Sequence, residues 1–256
     1  MKHVIYNMAP KIGITTKPFN PKNWYNEIGE SGFKVLEIGK RTAKFYLDPE
    51  WINKLKPYLE GFDLSLHSGT IKVFTENPQF TITELNMLKS EVLICEMIGA
   101  KELIFHLKHD KLTEDEISRL REVIDFAKEH NIEMIYESNG IIVADVVYDF
   151  LERFPDVNYN LDLGHMNNGY GRGMLGCEID EFINKIKDRV VYIHAHNNSG
   201  KKDEHKALRD GTLDWKHVLS LLNLSIVKKI MIEIADFDDI IKTKTDLKEY
   251  FNPKTQ

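Results

Sequence analysis

Cysteines and long apolar runs are scarce in this sequence, and each shortage excludes a class of protein. The 256 residues include two cysteines, Cys95 and Cys177, which are too few for a disulfide-stabilised scaffold. No apolar run approaches the roughly 18 residues that a membrane-spanning helix needs. Residues 1–6 also lack the long apolar stretch of a secretory signal peptide. We therefore expect a reduced, cytoplasmic protein without a membrane segment.

A strong excess of charge of either sign is also missing. The net charge is −6, which argues against a general nucleic-acid coat protein but allows a local basic surface. The apolar fraction of 42 % excludes a disordered chain. Because no linker or low-complexity stretch interrupts the sequence, residues 1–256 are expected to form a single domain.

Short apolar runs alternate with longer amphipathic segments along the whole chain. Strands are predicted over residues 11–15, 35–39, 62–67, 102–107, 133–138, 159–163, 190–196 and 229–234. Helices are predicted over residues 21–31, 48–58, 81–99, 142–154, 180–186, 214–222 and 238–250, and a further one begins near residue 113. Thr81 with Glu84, and Thr113 with Glu116, have the spacing of capping boxes at helix starts.

Strict alternation of strands and helices implies parallel strands. Eight such units in a chain of this length favour closure into a (β/α)8 TIM barrel, an α/β fold. The alternative is an open, doubly wound sheet. In a TIM barrel, functional residues lie at the carboxyl ends of the strands.

Histidines and carboxylates lie at or just after the carboxyl ends of six consecutive predicted strands, where the site of a TIM barrel is expected. These nine residues are His67, His106, Glu137, Asp162, His165, His194, Asp203, His205 and Glu233. All offer nitrogen or oxygen donors, which suit zinc, manganese or iron better than a thiolate site. They exceed what one ion can use, so a multinuclear centre is expected. His196 shares a strand face with His194 and is a candidate substrate contact.

In their order, these residues resemble the xylose isomerase-like TIM barrels, and in particular endonuclease IV. That enzyme holds three zinc ions with His, His, Glu, Asp-x-x-His, His, Asp-x-His and Glu, and all nine types occur here in that order. The resemblance implies that His67, His106 and Glu137 hold a first ion. It implies a second ion on Glu137, Asp162, His194 and Glu233, and a third on His165, Asp203 and His205.

Several loops differ from those with which endonuclease IV grips DNA. His106 is followed by Leu107-Lys108 instead of Pro-Gly, and Glu137 by Ser138-Asn139-Gly140. The segment around residues 204–215 resembles the sugar isomerase and epimerase branch of the same superfamily instead. That branch commonly has Asp where this chain has Asn197.

The first functional hypothesis is a metal-dependent phosphoester hydrolase with up to three zinc ions. Clustered cations generate hydroxide and neutralise the charge of a phosphoester, and Glu137 would bridge two of them. The expected partner is a phosphorylated substrate, either a small molecule or damaged, abasic-site DNA. Basic loop residues would meet the phosphates: Lys40, Arg41, Lys44, Lys72, Lys201 and Lys202.

The alternative hypothesis is a sugar or sugar-phosphate isomerase or epimerase with one manganese, cobalt or magnesium ion. By the same resemblance, that ion would be held by Glu137, Asp162, His194 and Glu233. Glu137 and Glu233 would then act as acid and base on opposite faces of the substrate. A third interpretation is a metal-binding scaffold without activity. The sequence gives no indication of the oligomeric state.

Overall fold

Eight parallel strands close into a barrel in chain order, with β8 paired to β1. The computed structural model describes residues 9–20, 22–39, 49–69, 78–107 and 111–252. The strands are β1 (Lys11–Thr15), β2 (Val35–Ile38), β3 (Asp63–His67), β4 (Glu102–Phe105), β5 (Glu133–Glu137), β6 (Asn158–Asp162), β7 (Val190–Ala195) and β8 (Lys229–Ile232). Closure confirms the predicted TIM barrel, and the open-sheet alternative is wrong.

Helices follow the strands and surround the barrel. They are α1 (Trp24–Glu27), α2 (Pro49–Leu59), α3 (Pro78–Ile98), α4 (Glu114–Glu129), α5 (Ala144–Arg153), α6 (Leu163–Gly171), α7 (Ile179–Ile186), α8 (Trp215–Leu221) and α9 (Phe237–Phe251). Short 3-10 helices cover Ile28–Ser31 and Leu208–Asp210. None of the helices in the described ranges is long and apolar enough to span a membrane.

The strands are apolar along most of their length because both of their faces are covered. One face packs against the helices, and the other fills the barrel with residues such as Val35, Ile104 and Met231. Gly13 of β1 makes room for this filling, since a Cβ there would lie 2.5 Å from Cε of Met231. The interior is therefore packed, and a ligand can bind only at the ends of the barrel.

Two helix starts differ in how well the sequence predicted them. The capping box of Thr113 and Glu116 is confirmed, with the Thr113 side chain accepting from the Glu116 amide. The box predicted at Thr81 is wrong, because α3 already begins at Pro78. The helix predicted over residues 21–31 is a single α-turn continued by a 3-10 turn.

Helix α6 is missing from the sequence-based prediction. Asp162 ends β6 and also caps α6, since its side chain accepts from the amide of His165 at 2.7 Å. Glycines and asparagines in α6 are poor helix formers, so the sequence does not predict a helix here. Three of the glycines, Gly164, Gly169 and Gly171, are needed for packing. A Cβ on Gly164, for example, would lie 1.9 Å from Cε1 of His196. Helix α6 therefore seats His165 beside the barrel mouth.

Candidate metal centre

The nine predicted ligands all lie at the carboxyl end of the barrel. Three end a strand, two directly follow one, and the others lie in β7, in α6 and in the loop after β7. In chain order they are His67, His106, Glu137, Asp162, His165, His194, Asp203, His205 and Glu233. Since the carboxyl ends of all eight strands form one rim, residues 166 positions apart in sequence, His67 and Glu233, belong to one centre.

His194 lies in the middle of this centre. Its Nδ1 atom is 3.2 Å from Oε2 of Glu137, 3.7 Å from Oδ2 of Asp162 and 3.6 Å from Oε2 of Glu233. Two ligand atoms bound about 2.1 Å from a tetrahedral ion lie about 3.4 Å apart. The ligand atoms of Glu137, Asp162 and His194 are therefore spaced for a single divalent ion, and a carboxylate oxygen of Glu233 lies 3.6 Å from the same nitrogen.

Unpartnered nitrogens give an independent test of this fit. Among the described residues, the Nδ1 atoms of His67, His165, His194 and His196 are buried without a hydrogen-bond partner. A buried polar atom without a partner is costly, and native proteins rarely contain several side by side. A metal ion would use the lone pair of such a nitrogen. The donor set around His194 therefore fits a divalent metal.

A second group of donors adjoins the first through Glu137. His67 Nε2 is 3.2 Å from Oε2 of Glu137, and His106 Nε2 is 3.7 Å from Oε1. His106 uses its other nitrogen to contact the backbone oxygen of Glu137 at 3.0 Å, which fixes the orientation of its ring. The group His67, His106 and Glu137 could also hold an ion.

Lys17 contacts the third predicted group of ligands, which includes Asp203 and His205. His205 contacts Asp203 through Nε2 at 2.9 Å and the backbone oxygen of Glu233 through Nδ1 at 2.7 Å. The ammonium of Lys17 lies 2.8 Å from Nε2 and 2.9 Å from Nδ1 of His205, and 3.5 Å from Oε1 of Glu233. A third cation would lie against this ammonium, and their repulsion opposes its binding.

Electrostatics within the centre keep its carboxylates ionised. Burial raises the pKa of Glu137, but the positive charges of His194, His106 and His67 lower it well below its usual value. Burial likewise opposes ionisation of Glu233, yet Lys17, His194 and His205 lower its pKa to about 2. Both side chains are therefore available as metal ligands or proton acceptors at neutral pH.

The pKa values of two histidines of the centre shift in the opposite direction, upward. Burial lowers the pKa of His165, whereas Asp162, Asp203 and Glu137 raise it, with a net rise to about 9. The pKa of His194 is raised well above its usual value, because Glu37, Glu137 and Asp162 outweigh burial. A bound metal would replace these protons, so metal binding is expected to release protons.

The centre opens into a cavity of about 370 Å³ at the barrel mouth. This volume is in the range of pockets for small molecules. Its lining includes polar side chains from several strand ends, namely Thr15, Thr16, Lys17, Glu37, His67, Glu137, His165, Asp203, His205 and Glu233. A small polar substrate could therefore reach the candidate ligands.

Sequence analysis missed Glu37 and Lys17. Glu37 is 1 % exposed in β2, and its Oε2 atom is 2.9 Å from Nε2 of His194. The signal was a carboxylate in an otherwise apolar strand, Val35–Ile38. Lys17 follows β1 and has no such local signal, since a lysine in a loop is usually solvated.

The predicted substrate contacts are only partly described. His196 is fully buried and contacts Asp162 at 3.1 Å, and its ring stacks on His205 with 3.8 Å between centroids. Lys201 and Lys202 are exposed in the loop after β7. Lys40, Arg41, Lys44 and Lys72 lie outside the described residues. His196 therefore contacts Asp162, itself a candidate metal ligand. The predicted contacts of the basic residues with phosphate stay predictions.

A family model matches most of this chain. The model of the xylose isomerase-like TIM barrel matches residues 26–249. This chain belongs to that family. Among curated relatives, an uncharacterized protein of Methanocaldococcus jannaschii is 23 % identical, covering 94 % of this chain and 89 % of its own. A second uncharacterized protein of that organism is 21 % identical, covering 93 % and 98 %.

Several solved structures share the fold of this chain. A D-tagatose 3-epimerase-like protein has a TM-score of 0.76 at 20 % identity, covering 94 % of this chain and 97 % of its own. The IolI protein with a bound zinc atom has a TM-score of 0.75 at 16 % identity, covering 94 % and 99 %. The 3-keto-D-glucoside 4-epimerase of E. coli has a TM-score of 0.70 at 16 % identity, covering 92 % and 99 %.

Proposed function

We propose that this xylose isomerase-like barrel is a metal-dependent epimerase or isomerase of a sugar or sugar phosphate. The observation that carries the proposal is the approach of three carboxylates, Glu137, Asp162 and Glu233, to within 3.7 Å of Nδ1 of His194. The neighbouring ammonium of Lys17 disfavours the three-ion arrangement of the hydrolase hypothesis. Several relatives of known structure are named as sugar epimerases, which supports this choice.

A divalent ion held by Glu137, Asp162, His194 and Glu233 would polarise the carbonyl and the adjacent hydroxyl of a ketose. It would so acidify the hydrogen on the carbon that carries this hydroxyl. Epimerisation then requires one group to remove that proton and another to return it on the opposite face. Glu137 ends β5 and Glu233 follows β8, so the two carboxylates approach the cavity from different sides. We assign them the roles of base and acid, and His165 the role of a substrate contact.

The test uses purified protein reconstituted with zinc, manganese, cobalt or magnesium. Ketoses and their phosphates are incubated with it in D2O, and deuterium incorporation at the carbon beside the carbonyl is followed by NMR. We expect exchange with the wild-type protein and a loss of about 10²- to 10⁴-fold in kcat for Glu137→Gln and Glu233→Gln. The control is Glu204→Gln, an exposed carboxylate next to Asp203 that pairs with Lys206. Metal-loaded protein that exchanges no deuterium with any of these sugars would contradict the proposal.

A phosphoester hydrolase is the second candidate, and the group of His67, His106 and Glu137 favours it. That group could hold an ion next to the one at His194, and paired ions are typical of phosphoester hydrolysis. Metal content per chain, with Asp203→Ala alongside, separates the candidates. One ion that is unchanged in the variant supports the epimerase. Three ions, falling by one in the variant, together with cleavage of abasic-site DNA or a phosphodiester, support the hydrolase.

A further inference from the structure

Glu37 has no place among the predicted ligands, although its carboxylate lies in the centre of the barrel mouth. It belongs to β2, whereas the candidate ligands Glu137, Asp162, His194 and Glu233 come from β5 to β8. Its side chain is almost completely buried, with 1 % exposed. A carboxylate buried this deeply needs strong hydrogen bonds to be tolerated.

Two donors from β7 converge on one oxygen of Glu37. Tyr192 donates its hydroxyl to Oε2 at 2.9 Å, and Nε2 of His194 lies 2.9 Å from the same atom. The two residues are two positions apart in one strand and therefore share the face that points into the barrel. The contacts thus join β2 to β7 across the interior of the barrel.

The direction of each hydrogen bond in this network is determined. A carboxylate oxygen only accepts, so the hydroxyl of Tyr192 and Nε2 of His194 must both donate to Glu37. Because Tyr192 uses its proton in this way, Ser65, 2.6 Å from the same hydroxyl oxygen, must donate to Tyr192. Ser65 therefore donates to Tyr192 and Tyr192 to Glu37, and His194 donates to the same carboxylate from the other side.

We propose that Glu37 is a positioning residue for the metal centre. By accepting the Nε2 proton of His194, it leaves Nδ1 with the lone pair that faces Glu137, Asp162 and Glu233. Pairs of a carboxylate and a metal-binding histidine orient the ring and make it a stronger ligand. The inference rests on the metal centre of the proposed function, but it does not depend on the sugar or on the reaction.

The barrel offers a matched control for the tyrosine in this network. Tyr159 of β6 and Tyr192 of β7 are both fully buried, and each pairs through its hydroxyl with a serine. Only Tyr192 also donates to Glu37. Tyr192→Phe and Tyr159→Phe therefore remove the same group at a similar depth, and they differ in the contact under test.

Zinc affinity is the first readout, measured by competition with a chromophoric chelator on metal-free protein. Glu37→Ala is expected to weaken zinc binding by about 10- to 100-fold. Glu37→Gln keeps an accepting oxygen and is expected to lose less. Tyr192→Phe should weaken binding by a smaller factor than Glu37→Ala, and Tyr159→Phe should bind zinc like the wild type. Thermal unfolding of each metal-free variant shows whether it is folded.

Long-range ¹H–¹⁵N NMR of the histidine rings is the second readout and needs only the zinc-loaded wild type. The expected spectrum has a proton on Nε2 of His194 and zinc on Nδ1. Zinc on Nε2 would overturn the proposal, even if Glu37→Ala fails to fold. Equal losses of affinity in Tyr159→Phe and Tyr192→Phe, or unchanged affinity in a folded Glu37→Ala, would also overturn it.

These results separate the inference from the proposed function. Protein that binds zinc on Nδ1 with Glu37-dependent affinity, but exchanges no deuterium into sugars, would disprove the epimerase and leave the role of Glu37 intact. Active protein whose zinc affinity ignores Glu37 would do the opposite. Wild-type protein that binds none of zinc, manganese, cobalt and magnesium would disprove both, since the metal centre itself would be wrong.

Discussion

At the scale of single residues, Lys17 lies where the resemblance to endonuclease IV implies a third ion. Its ammonium touches both ring nitrogens of His205 and lies 3.5 Å from Glu233. An ammonium group can neutralise nearby carboxylates without a metal. We therefore predict that Lys17, which follows β1, limits the number of ions that this centre can bind.

Replacing this lysine should change the metal stoichiometry. Lys17→Met keeps the length of the side chain and removes the charge, so repulsion of a cation near Asp203 and His205 disappears. We expect the variant to bind one more zinc ion per chain than the wild type at the same free zinc concentration. Elemental analysis after dialysis measures it, with the exposed Lys202→Met as control. Unchanged zinc content in Lys17→Met would show that Lys17 does not exclude an ion.

At the scale of elements, strands β3, β4 and β8 carry buried charge at the end of the barrel opposite the cavity. Lys229 is 2 % exposed and lies 2.7 Å from both Glu102 and Asp63. Burial raises the pKa of Glu102, and the charge of Lys229 opposes that rise. These contacts tie the first residues of three strands together without a metal.

Removing the buried lysine should destabilise the fold strongly. Lys229→Met leaves Glu102 buried without its main partner, and breaking such a pair typically costs about 3–5 kcal/mol. The matched control is the neighbouring Lys228→Met, whose half-exposed side chain pairs with Glu133. Its cost should be at most about 1 kcal/mol. Urea unfolding measures both, and equal losses would show that the buried network is not stabilising.

The contact between α4 and the turn before β6 predicts a pH dependence. Burial raises the pKa of Asp156, but hydrogen bonds from Arg121 and Lys128 of α4 lower it to about 2, from an ordinary value of 3.8. A carboxyl group whose pKa is lowered by folding stabilises the protein above its unfolded pKa. That contribution is lost as the pH falls through the folded pKa.

Asp156→Asn removes this titration. The difference in unfolding free energy between wild type and variant should be constant above about pH 5 and should shrink between about pH 4 and pH 2. Urea unfolding at several pH values measures it, with Asp149→Asn, an exposed partner of Arg153, as control. A difference that stays constant down to pH 2 would contradict the role of this ion pair.

At the scale of the whole molecule, the candidate centre joins strands that are far apart in the chain. Glu137 and Asp162 end β5 and β6, Glu233 follows β8, and their three carboxylates lie within 3.7 Å of Nδ1 of His194 in β7. Converging carboxylates repel one another when no cation lies between them. Because these ligands meet only in the closed barrel, a metal ion should bind the folded state and stabilise it.

Zinc should therefore raise the free energy of unfolding by about 2.7 kcal/mol when its free concentration is about 100 times Kd. Differential scanning calorimetry with zinc and with a chelator measures the shift. His194→Ala, which lacks the central nitrogen, is expected to show almost no zinc-dependent shift. The same shift in this variant would place the stabilising ion elsewhere.

Some properties of this protein follow from its sequence alone. The alternation of eight apolar strands with amphipathic helices predicts the closed barrel, because parallel strands buried on both faces need helical connections. The nine donors at strand ends predict a centre at the barrel rim, because all eight carboxyl ends meet there. Both conclusions use only the order of elements along the chain.

Other properties were decided by the tertiary structure. Glu37 and His194 are 157 positions apart in sequence, and only closure of the barrel brings their side chains within 2.9 Å. The contact of Lys17 with His205 likewise joins the segment after β1 to the distant loop after β7. Helix α6 forms despite its poor helix formers, because Asp162 caps it and Gly164 packs against His196. The pattern of apolar and polar residues predicts which face of a strand or helix a residue occupies. Contacts across the barrel depend instead on how the first and last strands of the sheet pair.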